Sequence, residues 1–214
     1  MKRKIIIAFV VIASIVAALT ALLLIWHKGP YTAEQLGIDT VLSPLDSDGD
    51  GIDDYTDIML SARAYIATDP YYASAYFNGG YPDDGTGVCT DVIWQALIGA
   101  GIDLKALVDA DIASNPDAYP EITRPDPNID FRRVRNLAIF FERHARSLTC
   151  DTSSPEDFQP GDVIVIDPSH IAICSDKRNR LGMPYIIHHS PLGAVESDDL
   201  YLYKIVGHYR IDLD

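Results

Sequence analysis

The chain has 214 residues, a formal charge of −14 at pH 7, and 48% apolar residues with 13 prolines. That composition excludes a disordered or collagen-like chain. With the first 28 residues set aside, one domain's length remains, enough to bury a core without disulfide staples. Residues 29–214 hold 13 basic against 31 acidic side chains, a formal charge of −18, which repels anionic polymers and argues against a nucleic-acid partner.

Lys2, Arg3 and Lys4 precede an uncharged apolar run of 22 residues from Ile5 to Trp26. A helix of that length spans about 30 Å of hydrocarbon, and the basic flank stays in the cytoplasm. Residues 1–28 therefore predict a single-pass anchor with the rest of the chain extracytoplasmic. The apolar run continues through Leu22–Trp26, past the small residues Ala17, Ala18 and Ala21, which disfavours a cleaved signal peptide; cleavage would give a secreted protein.

Residues 29–45 read as a linker with a short helix around Thr32–Leu36, Thr32 serving as its N-cap. Asp46-Ser-Asp-Gly-Asp-Gly-Ile-Asp-Asp-Tyr-Thr-Asp57 then matches a twelve-position calcium loop. Asp46, Asp48, Asp50, Asp54 and Asp57 stand at positions 1, 3, 5, 9 and 12. Gly51 is at 6, and Ile52 offers its backbone carbonyl from 7. An aspartate at position 12 resembles dockerin-type and thrombospondin-type calcium repeats, and a bound calcium ion would order the helix that follows through Ile58–Ile66. The alternative is a solvated acidic turn.

Residues 67–214 form the main domain. Residues 70–87 predict loop, Cys89–Ile98 a helix stopped by Gly99 and Gly101, and Leu104–Ile112 a second short helix. Tyr119–Asn128 is a proline-rich crossing. Phe131–Leu148 predicts an amphipathic helix with Arg132, Arg133, Arg135, Arg143 and Arg146 on a basic face. After Pro160-Gly161-Asp162 the period changes. Val163–Ile166, His170–Cys174, Tyr185–His188 and Leu202–Tyr209 predict short strands. Helices followed by a run of antiparallel strands give an α+β fold.

Gly85-Thr-Gly-Val-Cys89-Thr90-Asp91 leads directly into a helix. A thiol in a helix's first turn meets unpaired N–H groups and the positive end of the macrodipole. Both favour a thiolate, and the same N–H groups suit an oxyanion. A cysteine entering a helix is also commonly a small core residue; a catalytic Cys89 is expected to ionise well below the ordinary value of about 8.5, and a value near or above it would speak against catalysis. Thr90 and Asp91 sit where they can orient the site. A thiolate nucleophile needs a proton donor for the leaving amine. His170 opens one strand and His188 ends the next, so a hairpin brings them side by side. The adjacent His189 competes with His188, since successive strand residues face opposite sides and only one can reach the site.

Phe158-Gln-Pro160-Gly161-Asp162-Val-Ile-Val-Ile, then His170-Ile-Ala-Ile and a strand ending in histidine, resembles the NlpC-type cell-wall cysteine peptidases. The resemblance implies a papain-like fold that cuts peptide bonds in peptidoglycan stems, with Cys89 as nucleophile, His170 as base and His188 as its orienter. A bacterial family of uncharacterised extracellular proteins is closer still, over roughly residues 46–210. Thr90-Asp91 departs from the Ser-Gly usual in the peptidases, and the interval between Cys89 and His170 is longer. The expected function is an extracytoplasmic cysteine hydrolase. The alternatives are a calcium-stabilised wall-binding module without catalysis, and a cysteine acyltransferase on the same site. Cys150 and Cys174 are candidates for a disulfide that would leave Cys89 free.

Overall fold

The computed structural model describes residues 9–20, 29–167 and 169–212. Residues 9–20 form helix α1, with Phe9, Ile12, Val16 and Leu19 exposed. Among the described residues no helix is long and apolar enough to cross a membrane. Much of the anchor expected over residues 1–28 lies outside the described residues.

Residues 29–45, expected as a linker, are fastened to the domain. Tyr31 and Arg178 exchange two backbone hydrogen bonds of 2.8 Å. The Thr32 N–H donates to the Gln35 side chain and the Gln35 N–H to Thr32 Oγ1, at 3.0 and 3.2 Å, ahead of a 3-10 turn over Glu34–Leu36. Gln159 then ties down Asp39 and Val41 through their backbones.

Helix α2 (Asp54–Ile66) packs Ile58, Met59 and Ala62 against α3 (Cys89–Gly99), so the acidic segment and the main domain share one core. Two short strands, β1 (Tyr71–Tyr72) and β2 (Thr86–Gly87), pair in parallel inside the region read as loop. α4 (Leu104–Ser114) is capped by Asp103, which accepts the Ala106 N–H at 3.0 Å. α5 (Val134–His144) is shorter than its apolar period suggests. Asp130–Arg132 is a 3-10 turn, and Arg146–Ser147 leaves the helix as β3.

The remaining strands are β4 (Val163–Ile166), β5 (His170–Arg178), β6 (Pro184–Ser190), β7 (Gly193–Ser197) and β8 (Ile205–Arg210). With β3 they form an antiparallel sheet in the order β3-β8-β4-β5-β6-β7. The architecture is α+β, as expected. β4 reads Val-Ile-Val-Ile because both its faces are buried. Val163 and Val165 join the large core with α3 and α5, while Ile164 and Ile166 join a smaller one with Phe158, Ala172, Cys174 and Ile186.

The Pro-Gly-Asp turn anchors this sheet. Gly161 has φ 83°, and a Cβ there would lie 2.4 Å from the Tyr55 carbonyl oxygen. Buried Asp162 accepts from His208 Nε2 at 2.9 Å and twice from Arg210 at 2.7 Å. The candidate Cys150–Cys174 disulfide is not formed. All three cysteines are free thiols, with Cys174 sealed in the smaller core and Cys150 exposed.

Candidate active site

Cys89 is the first residue of α3, and Asp91 builds its entry. The Asp91 carboxylate accepts the Val88 N–H at 2.7 Å, while the Asp91 N–H donates to the Val88 carbonyl at 3.0 Å. This is the acidic half of a capping box. Fully buried Asp91 also accepts the Trp94 indole N–H at 2.7 Å and a two-pronged bond from Arg132 at 2.8 and 2.9 Å. Thr90 Oγ1 donates to the Arg132 carbonyl at 3.1 Å, and Arg132 Nη1 donates to the Ala75 carbonyl at 3.0 Å. Thr90 and Asp91 therefore fix Arg132, which pins the loop ahead of the thiol. Arg132 was expected on the basic face of α5. It is buried instead because a carboxylate taken out of water needs a fixed cation.

Backbone N–H groups of Ile171 and Thr90 act on the Cys89 thiol, and Cys89 shares the large core with Ile171 and Ile173, whereas strand alternation puts His170 on the other face of β5 with Ala172 and Cys174; among the described residues no hydrogen bond joins Cys89 to His170. Burial pushes the thiol up to about 11; those N–H groups oppose the rise and Asp91 adds to it. The direction is opposite to the depression expected from the helix terminus alone, because desolvation of the charged form opposes the helix-end donors. The Tyr72 hydroxyl is raised by burial, and the charge of Cys89 adds to the rise.

The structure brings His170 and His188 together. His170 Nε2 lies 2.8 Å from His188 Nδ1, and the rings meet edge to face. His188 Nε2 lies 3.1 Å from Ser197 Oγ, which donates to Asp199 Oδ1 at 2.8 Å. Burial lowers His170 to about 4; His188 adds to the fall and Asp199 opposes it. His188 is lowered by burial too, again opposed by Asp199. His189 turns the other way. It is fully buried with its ring against Tyr72 at 5.1 Å, and neither ring nitrogen has a hydrogen-bond partner among the described residues.

A family model described as a domain of unknown function (DUF1287) matches residues 59–211. The chain belongs to this family. The Escherichia coli (strain K12) protein named Uncharacterized protein YijF is 40% identical over 149 residues, which cover 66% of this chain and 72% of the relative. The DUF1287 match takes in Cys89, His170, His188, His189, Ser197 and Asp199. It begins inside α2, so the acidic loop, expected within the likeness from residue 46, lies ahead of it.

In that loop, carboxylate oxygens of Asp46, Asp48 and Asp50 lie within 4.8 Å of one another. Asp54 does not join them; it is buried and accepts from the Ser47 N–H and hydroxyl, each at 2.7 Å. Asp57, 7% exposed, has an Oδ2 without a hydrogen-bond partner among the described residues. Burial raises its carboxyl to about 6, and Asp50, Asp48, Asp46 and Asp53 add to the rise. Ile52 is exposed, with its N–H given to Asp50 Oδ1 at 2.8 Å.

Sequence reasoning missed Tyr72, Ser197 and Asp199.

Proposed function

We propose that this DUF1287 chain is an extracytoplasmic cysteine hydrolase that cleaves an amide or peptide bond, with peptidoglycan stem peptides as its substrate class. What supports the reading is a cysteine at a helix entry and a His170–His188 hydrogen bond between the start of β5 and the end of β6. The resemblance of the Pro160-Gly161-Asp162 and His170-Ile-Ala-Ile motifs to NlpC-type peptidases supplies the papain-like comparison and the substrate class.

In the proposed reaction Cys89 Sγ attacks the carbonyl carbon as its proton passes to His170 Nδ1. The oxyanion forms against N–H groups at the start of α3. The C–N bond then breaks, and His170 returns the proton to the leaving amine. Water attacks the thioester with His170 as base, releasing the carboxylic acid and the thiol. Burial disfavours each charge alone, so thiolate and imidazolium form together, as a pair, when substrate excludes water.

The raised thiol favours a second reading, a wall-binding module that retains an uncharged site. A cysteine acyltransferase would use the same first half-reaction and deliver the acyl group to an amine. Incubation of the full chain, and of Cys89→Ala, with purified peptidoglycan and defined muropeptides separates these by mass spectrometry. Products from the intact protein alone support the hydrolase, amide products with an added amine identify a transferase, and none from either supports the binding module.

Within the same reading, residues 1–28 tether the domain to the membrane. A structural calcium ion is assigned to Asp46, Asp48, Asp50 and Asp57 with the Ile52 carbonyl. The buried, unpartnered Asp57 oxygen is the observation that adds to the acidic cluster.

A further inference from the structure

The hydrogen bonds beyond His188 have a direction. Asp199 as a carboxylate can only accept. Ser197 Oγ gives its single proton to Asp199 Oδ1 at 2.8 Å, so toward His188 Nε2, at 3.1 Å, it can only accept. His188 therefore carries its proton on Nε2, and its Nδ1 is a lone pair. That lone pair lies 2.8 Å from His170 Nε2, so His170 must donate from Nε2. Among the described residues nothing is bonded to His170 Nδ1, which is left as an acceptor. The other Asp199 oxygen accepts from the Tyr203 hydroxyl at 3.2 Å and lies 3.9 Å from His188 Nε2, which holds the carboxylate at the end of the relay.

We infer that Ser197 and Asp199 are positioning residues that set the tautomers of His188 and His170, leaving a lone pair on His170 Nδ1. The inference rests on the hydrolase reading only for the use made of that lone pair. β7 exists in this role to carry Ser197: its pairing His188↔Val195 and Ile186↔Ser197 brings the hydroxyl against the imidazole across the strand. Neutral imidazole chooses between its two tautomers by what its second nitrogen meets, so a fixed acceptor at Nε2 decides which nitrogen is basic.

The test is long-range proton–nitrogen correlation NMR on the full chain labelled with 15N-histidine, at neutral pH, with His170→Gln and His188→Gln supplying the assignments. The expected result is Nε2–H on both histidines. Ser197→Ala should turn His188 into a mixture of tautomers, and Ser197→Thr, which keeps the hydroxyl, should restore Nε2–H. Asp199→Asn should loosen the preference in the same direction as Ser197→Ala. An Nδ1–H tautomer on His188 in the unaltered protein, or an unchanged His188 in Ser197→Ala, would overturn the inference. Because the readout needs no substrate, it is separate from the hydrolase reading: expected tautomers with no muropeptide cleavage would remove the reaction and leave the relay. Where cleavage is seen, Ser197→Ala should lower kcat by between about 10-fold and 10⁴-fold with little change in KM. The upper figure is the cost of a wrong imidazole tautomer in a serine triad. Ser197→Thr should recover it.

Discussion

His170 and His188 share a hydrogen bond of 2.8 Å, whereas His189, one residue further along β6, points to the other side and meets Tyr72. The two neighbours should therefore respond oppositely to substitution. His188→Ala should lower hydrolytic turnover by about 10²-fold or more, the usual scale of lost acid–base support. His189→Phe should keep turnover and leave stability within about 1 kcal/mol or raise it, since it replaces a buried imidazole with unmet nitrogens by an apolar ring. Steady-state kinetics and urea unfolding check both. Loss of activity in the phenylalanine variant with retention in the alanine variant would exchange the two roles.

The pH dependence has a defined sign. His170 is lowered to about 4 and His188 and His189 are lowered as well, burial being the first cause in each. Between pH 4 and the unfolded value of about 6.5, the unfolded chain binds more protons than the folded one. The stability carried by these neutral histidines is full above about 6.5 and is lost as pH falls toward 4. The urea midpoint should drop across this window, and His170→Gln should flatten the drop. A midpoint that rises on acidification, or the same slope in the variant, would contradict the burial of a neutral His170.

Asp91 and Arg132 form an ion pair with both side chains almost wholly out of water. Removing one partner strands the other charge, so Asp91→Ala or Arg132→Ala should cost about 3–5 kcal/mol in chemical denaturation. The double variant should cost less than the two single losses together. Additive losses would mean that the two residues are not coupled.

The thiols should separate by exposure. Cys150 should be alkylated rapidly in the native protein, and Cys174 only after unfolding, because Cys174 lies in the smaller core with its thiol raised far above the ordinary range by burial. Peptide mapping after a short pulse of iodoacetamide reads this directly. A Cys150–Cys174 disulfide under oxidising conditions, or early labelling of Cys174, would show that this corner of the sheet opens.

If calcium binds the Asp46–Asp57 loop, its addition should raise the melting temperature of the full chain, and a chelator should reverse the change. At a calcium concentration 100 times Kd the expected stabilisation is about 2.7 kcal/mol. Asp57→Asn should remove most of the response, while Asp117→Asn, on the 3-10 turn after α4, should not. No change with calcium, or a response that survives Asp57→Asn, would leave the loop as a solvated acidic turn.

Local pattern made much of this legible. The Val163–Ile166 strand, the α3 start at Cys89 and the pairing of His170 with His188 all follow from period and from hairpin geometry. The rest was decided by contacts between distant residues. Arg132 fits an amphipathic basic face until a carboxylate 41 residues earlier claims it. β7 is a five-residue strand of partly exposed residues with little alternation, so Ser197 had no frame to be read in. Helix-terminus electrostatics predicted a low Cys89 pKa, but the desolvation that reverses it comes from the packing of α3 on β5, which no local sequence window contains.

The reaction itself is tested most directly by trapping the acyl-enzyme. The full chain would be mixed with a defined muropeptide, quenched in acid within the first turnover, and its Cys89 peptide weighed by mass spectrometry. The expected result is a hydroxylamine-labile mass increase equal to the acyl half of the substrate, confined to Cys89 and absent from Cys89→Ala. Muropeptide cleavage that persists in Cys89→Ala, with no adduct on the thiol of the unaltered protein, would contradict the assignment of Cys89 as nucleophile.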